Sequence, residues 1–188
     1  MQSLKNRTSN DSQTYLHLAT LKLKKLPEPD EIPNYANITY IDCRENQITQ
    51  CDNLPPRLEI FYCSFNKITH LDNLPQSLKY LNCSGNNITQ LDYLPQSLEE
   101  LICNVNQITQ LDNLPPNLKE LNCNRNNITQ LNNLPQSLKT LNCSYNKITR
   151  LDYLPASLIN LGCLDNPLDY PFRATLKNIR EYNIFGTS

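Results

Sequence analysis

Tryptophan is missing from this 188-residue chain, and glycine and histidine are scarce, at three and two residues. So few glycines leave little material for loops that cradle phosphates, because such loops need the backbone to approach a ligand closely. Neither sign of charge dominates: 17 basic and 18 acidic side chains give a formal net charge of −1. A generic grip on nucleic acid or anionic lipid needs a basic excess on one face, so neither partner is expected. No apolar run approaches the ~18 residues of a membrane span. The opening stretch, MQSLKNRTSNDSQTY, has no apolar core of the kind a secretory signal carries. The expected compartment is therefore the cytoplasm, where thiols stay reduced. No nucleophile-elbow, zinc-protease or phosphate-loop pattern occurs, and His17 and His70 have no partners at a recognisable spacing. The expectation is a non-enzyme that needs no cofactor and no metal.

What the chain does have is a period. Cysteine returns at one fixed interval of twenty positions, as Cys43, Cys63, Cys83, Cys103, Cys123, Cys143 and Cys163. Units open at Ile38, Leu58, Leu78, Leu98, Leu118, Leu138 and Leu158, and the central ones read L-x-x-L-x-C-x-x-N-x-I-T-x-L-x-x-L-P-x-S. A fixed period of this length is the mark of a stacked-repeat architecture. Counting back by the same interval from Ile38 places a degenerate opening unit at Leu18, with Leu21 and Leu23 as further inward positions. The expected layout is a disordered tail over 1–13, then an N-terminal cap and degenerate first repeat over 14–37. Seven 20-residue repeats follow over 38–168, and a C-terminal cap over 169–188.

Within a unit, Leu81 and Cys83 alternate with Tyr80, Asn82 and Ser84. That period of two predicts a short strand with one face inward. A lone strand cannot bury its inner face, so neighbouring units must stack into a parallel sheet over one continuous core. The return path supplies Ile88, Leu91 and Leu94 to the same core, and Pro95 favours extended geometry. Units this short leave no room for a regular helix in each.

The segment Leu-x-x-Leu-x-Cys-x-x-Asn-x-Ile, as in Leu78 to Ile88, resembles the leucine-rich repeat signature. The 20-residue length with Leu-Pro near its end is similar to the short class of bacterial effector proteins. It is also similar to leucine-rich repeat proteins of amoebal giant viruses. The resemblance covers roughly residues 18 to 168. It implies an α/β-type solenoid with little helix: a curved parallel sheet on the concave face, extended or polyproline segments on the convex face, and a short C-terminal capping helix. Bacterial members often join their repeats to a ubiquitin-ligase domain. Here only a short segment, 169–188, follows Leu168. In it Phe172, Leu176, Ile179 and Tyr182 fall near one helical face, which suits a lid over the core. The functions implied are a non-enzymatic protein-interaction module, or an adaptor recruiting host proteins to signalling or ubiquitin machinery from the host cytoplasm.

Each row of the period asks for a chemistry. The cysteines occupy an inward position, where a small nonpolar thiol packs well. A disulfide row is disfavoured because parallel neighbours stand ~4.8 Å apart without the required dihedral, and a straight row cannot converge on zinc. Cys51 stands where later units have Leu71, Leu91 and Leu111. Asn46, Asn66, Asn86, Asn106, Asn126, Asn146 and Asn166 are expected to form a structural ladder, since a buried amide can bond its own loop and the next unit. Asp52, Asp72, Asp92, Asp112 and Asp152, interrupted by Asn132, suit Asx-type turns, with calcium as the alternative. The outward positions are free of packing and are uneven. Tyr40, Ile60, Tyr62, Phe65, Tyr80, Ile102 and Val105 gather in the early units. Asn122, Asn124, Arg125, Asn142, Ser144 and Tyr145 follow in the later ones. The early group is the candidate site, a docking patch for a protein partner on a monomeric chain.

Overall fold

A computed structural model describes residues 14–185. The expected tail over 1–13 lies outside the described residues, as do the last three positions of the expected C-terminal cap. Eight strands of three residues each form one parallel sheet in chain order. They are β1 Tyr15–His17, β2 Tyr40–Asp42, β3 Ile60–Tyr62, β4 Tyr80–Asn82, β5 Glu100–Ile102, β6 Glu120–Asn122, β7 Thr140–Asn142 and β8 Asn160–Gly162. One helix, α1 at Leu176–Phe185, follows the last unit.

From β2 onward the register advances by one period per strand: Tyr40 pairs with Ile60, Tyr80 with Glu100, and Thr140 with Asn160. The middle residue of each strand points inward. In the unit that opens at Leu78, that residue, Leu81, is fully buried together with Leu78, Cys83 and Ile88, and Leu91 and Leu94 nearly so. The same positions are buried in neighbouring units, so one apolar core runs the length of the sheet. All eight cysteines are free and buried within it.

The opening unit departs from the expected register. β1 pairs Tyr15 with Tyr40 and Leu16 with Ile41, so its step to β2 is longer than the period by five positions. Leu16 and Leu18 are therefore the inward residues of its strand segment, and Leu18 stands in the cysteine row. The extra positions lie in a longer return loop, which holds 3-10 turns at Pro29–Glu31 and Tyr35–Asn37. Ile32 is buried from this loop, and the Tyr35 hydroxyl donates to the Asn53 carbonyl.

Two rows of side chains tie unit to unit. In the asparagine row, Asn86 Nδ2 donates to the carbonyls of Cys63 and Cys83 at 3.1 and 3.0 Å. Its Oδ1 accepts the backbone N–H of Ile68 at 2.9 Å. Asn66, Asn106, Asn126, Asn146 and Asn166 repeat the pattern. Asn46 adapts it to the irregular first unit, accepting from both Leu21 and Leu23. Each amide thus satisfies backbone groups that a dry interior would otherwise leave unpaired.

The second row is serine, in the Leu-Pro-x-Ser phrase. Ser77, Ser97, Ser137 and Ser157 donate to the carbonyls of Leu58, Leu78, Leu118 and Leu138, one unit back, at 2.7–2.8 Å. Among the described residues no further serine bonds the Leu158 carbonyl. Arg180 of α1 takes that place, its Nη2 lying 3.0 Å from the Leu158 carbonyl and 3.2 Å from that of Ala156. Ile179, the preceding residue, is fully buried against the end of the core. The helix therefore replaces both the apolar contact and the hydrogen bonds of a further unit, as the end of a solenoid requires.

Candidate functional site

The first and third residues of every strand point away from the core, onto the concave face. On β1 to β4 these positions hold a connected set of rings. Tyr15 and Tyr40 lie 5.6 Å apart between centroids, Tyr40 and Tyr62 5.6 Å, and Tyr62 and Tyr80 4.9 Å. His17 joins at 5.3 Å from Tyr40. The rings zigzag between first and third positions, with planes tilted at 43–56° to one another. Aromatic pairs in this range attract beyond their simple burial. Ile60 stands in register between Tyr40 and Tyr80. All four of Tyr40, Ile60, Tyr62 and Tyr80 are half-buried, so their outer surfaces remain open.

Phe65 and Val105, expected as sheet residues, occupy the turn after each strand instead. Both adopt left-handed backbone, φ 54° and 56°, and both are exposed. The Phe65 ring lies across Gly85: a Cβ there would meet the ring at 2.8 Å. Gly85 itself has φ +63°. A residue without a side chain meets both demands, and so lets Phe65 extend the aromatic surface toward the turns. Ile102 faces outward on β5, and Val105 follows it.

Four participants were not legible as such in the sequence. Tyr15 and His17 belong to the unit with the lengthened step, so counting back by one period cannot bring them beside Tyr40. Asp42 and Arg44 form a pair under the rings. Arg44 Nε and Nη2 donate to Asp42 Oδ1 and Oδ2 at 2.9 and 2.8 Å, and the guanidinium lies 5.2 Å from the Tyr62 centroid. Burial pushes the Asp42 carboxyl up, but the hydrogen bonds from Arg44 outweigh it and hold the group below its ordinary value. The pair braces Tyr62 from the turn side.

The other rows offer no chemistry of this kind. Burial pushes the thiols of Cys51, Cys83 and Cys123 up to about 12, so at neutral pH they are protonated packing groups. Among the described residues no group of three histidine, cysteine, aspartate or glutamate side chains could hold a metal. The aspartate row differs from its expected turn chemistry. Asp52 and Asp92 accept from Gln50 and Gln90, and Asp152 from Arg150, all side chains two positions back. The left-handed turn falls one residue later, at Asn53, Asn73, Tyr93, Asn113, Asn133 and Tyr153. A cleft of about 380 Å³ lies between the last unit and α1. Its polar groups are already engaged: Arg150 with Asp152 and between the Tyr170 and Tyr182 rings, Arg180 with the backbone.

Among the described residues no helix is long and apolar enough to cross a membrane. No curated protein sequence matches the chain. The family model described as Leucine Rich Repeat matches residues 77–101 and 137–161. Solved structures are similar over most of the chain. YopM, a leucine-rich effector protein from Yersinia pestis, aligns with TM-score 0.72 and 37% identity over 79% of this chain and 42% of its own. The leucine-rich-repeat domain of a Shigella effector aligns with TM-score 0.73 and 28% identity, over 100% of this chain and 80% of that one. The functional domain of InlJ from Listeria monocytogenes, described as including a cysteine ladder, aligns with TM-score 0.74 and 32% identity over 88% of this chain and 37% of its own. The chain thus spans less than half the length of the YopM and InlJ chains. Its stacked 20-residue units, its cysteine and asparagine rows and these likenesses have one meaning: the chain is a leucine-rich-repeat protein, similar to the repeats of bacterial effectors.

Proposed function

We propose that this protein is a non-enzymatic interaction module that docks a protein partner on the aromatic half of its concave face. Tyr40, Ile60, Tyr62, Phe65 and Tyr80 form the contact, with Tyr15 and His17 at one margin and Ile102 and Val105 at the other. The observation that carries this reading is the unbroken run of ring contacts from Tyr15 to Tyr80 on the outward side of a sheet whose core is already closed. Packing needs none of those rings, since the later strands turn Glu100, Glu120 and Thr140 outward at the same row. Tyrosines add large amphipathic contact area at small entropic cost, which is why interfaces favour them. Neither nucleic acid nor a membrane fits the balanced charge, and the chain acts as a monomer. Affinity capture in the native cell with wild type and with a Tyr62→Ala/Tyr80→Ala variant tests this. Loss of a specific partner with the variant supports it, and undiminished capture overturns it.

A second reading draws on the printed descriptions of YopM and the Shigella protein as effectors. The chain then works as an adaptor in a host cytoplasm, holding a target on the concave face while another surface recruits signalling or ubiquitin machinery. Two partners bound at once, only one of them sensitive to the tyrosine substitutions, distinguish it from a simple binder.

A further inference from the structure

Immediately beyond Tyr80, in the same outward row, stand Glu100 and Glu120, directly in register on β5 and β6. Neighbouring strands hold such positions ~4.8 Å apart, and like charges directly opposite one another destabilise a sheet. One row over, the chain avoids this problem. Lys79 donates to Glu59 at 3.1 Å and Lys119 to Glu99 at 2.5 Å, each lysine one strand beyond its glutamate. Asp42, the other carboxylate at an outward strand position, is held by Arg44. Glu100 and Glu120 alone in these rows form no ion pair among the described residues. Glu100 is also half-buried; burial first, and then the Glu120 charge, push its carboxyl above its ordinary value.

The outward face therefore passes from apolar rings to two adjacent carboxylates that no ion pair holds, with only the more distant Lys119 charge opposing their repulsion at Glu100, within three consecutive strands. We infer that the partner is an unfolded or loop polypeptide segment that sets one lysine or arginine on Glu100 and Glu120 and lays neighbouring apolar side chains on Tyr80, Ile60 and Tyr62. This rests on the docking reading above and adds the chemistry of its occupant. The two carboxylates offer acceptors for a charge-assisted bond to an organic cation. The adjacent Tyr80 ring gives the aliphatic stem of that cation an apolar surface to cross. A divalent metal fits less well, because it demands more oxygen ligands than two side chains supply.

The test is selection of random peptides displayed on phage, using the wild-type protein as bait. Selected peptides are then synthesised and titrated against wild type, Glu100→Gln/Glu120→Gln and Tyr62→Ala/Tyr80→Ala. The expected peptides carry lysine or arginine next to apolar residues. Their affinity should fall about tenfold or more with the glutamine pair, and equally when the basic residue is replaced by norleucine. The glutamine variant should melt at or above the wild-type temperature, because it relieves repulsion; a binding loss is then not an unfolding. Selected peptides without a basic residue, or unchanged binding to the glutamine variant, overturn the inference. Peptides lost with the tyrosine variant but indifferent to the glutamine pair sink this inference and leave the docking face standing. Indifference to both variants, or a library that yields no binder, sinks both.

Discussion

Strands β1 to β4 and strands β5 to β8 share a backbone and an interior, and they differ in what they turn outward. From β2 to β8 an inward leucine, isoleucine or phenylalanine is followed by a buried cysteine, and an asparagine closes the turn. Outward, the first half shows Tyr15, Tyr40, Ile60, Tyr62 and Tyr80 beside His17, Asp42 and Asn82, while the second shows Glu100, Glu120, Asn122, Thr140 and Asn142 with Ile102 as its apolar residue next to the boundary. Like interiors beneath unlike exteriors separate what the fold requires from what it leaves free. The second half keeps the same strand register with amides and carboxylates on that face, so the register does not depend on the rings. They are the part of the sheet with something else to meet.

The widest effect should treat the halves alike. Above the ordinary thiol value of about 8.5, cysteines of the unfolded chain ionise while the buried ones stay protonated. The unfolded state then binds fewer protons than the folded one, so stability must fall as pH rises toward about 12. One pH unit above the ordinary value, each fully buried thiol accounts for on the order of 1.4 kcal/mol. Urea midpoints measured across alkaline pH should drop steeply. Cys63→Ala and Cys123→Ala, one from each half, should flatten the slope by the same amount. A slope changed by only one of them breaks the claim of a common interior.

Next in size is the asparagine row. Asn86→Leu and Asn126→Leu each leave one buried N–H, that of Ile68 or Ile108, without its acceptor, and take from two cysteine-row carbonyls one of their two amide donors, so each should cost about 2–3 kcal/mol in urea unfolding. Values that differ by much more than about 0.5 kcal/mol would mean the halves are not built alike. The outward substitutions should then split them. Tyr62→Ala/Tyr80→Ala should cost about 1–2 kcal/mol of stability and abolish partner binding. Asn122→Ala/Asn142→Ala remove the acceptors of the Asn124 amide and the Ser144 N–H, so they should cost about 1–2 kcal/mol as well and leave partner binding intact. The smallest contrast lies in the turns. Gly85→Ala forces a Cβ into left-handed backbone and against Phe65, for a loss of about 1 kcal/mol. At the equivalent position in the second half Arg125 already carries a side chain at φ 53°, and Arg125→Ala should lose only its contact over the Tyr145 ring, about 0.5 kcal/mol in urea unfolding.

The interior was legible because it repeats. Once Cys83 and Leu81 are placed inward, the period places their counterparts in all seven regular units, and the asparagine row follows from the need to satisfy buried backbone. Legibility failed where the period fails. The first unit takes a longer step because its return loop accommodates two 3-10 turns, so Leu18 was matched to Ile38 rather than to the cysteine row, and Tyr15 and His17 could not be seen beside Tyr40. Arg180 replaces a serine from a different element, and no spacing rule connects it to Ser157. The aspartate row misled because its partners are side chains two positions back, while the turn that suggested Asx geometry sits on the following residue. Phe65 and Val105 are exposed but belong to turns, since the strands are only three residues long.

The asymmetry of the concave face is the centre of the account, and crosslinking in the cell that makes this protein examines it directly. A photoreactive phenylalanine derivative is placed at position 62 in one variant and at 142 in another, both outward-facing third residues of their strands. The account predicts a discrete protein adduct from position 62 and none from 142. An adduct from 142 alone, or equal adducts from both, would contradict it.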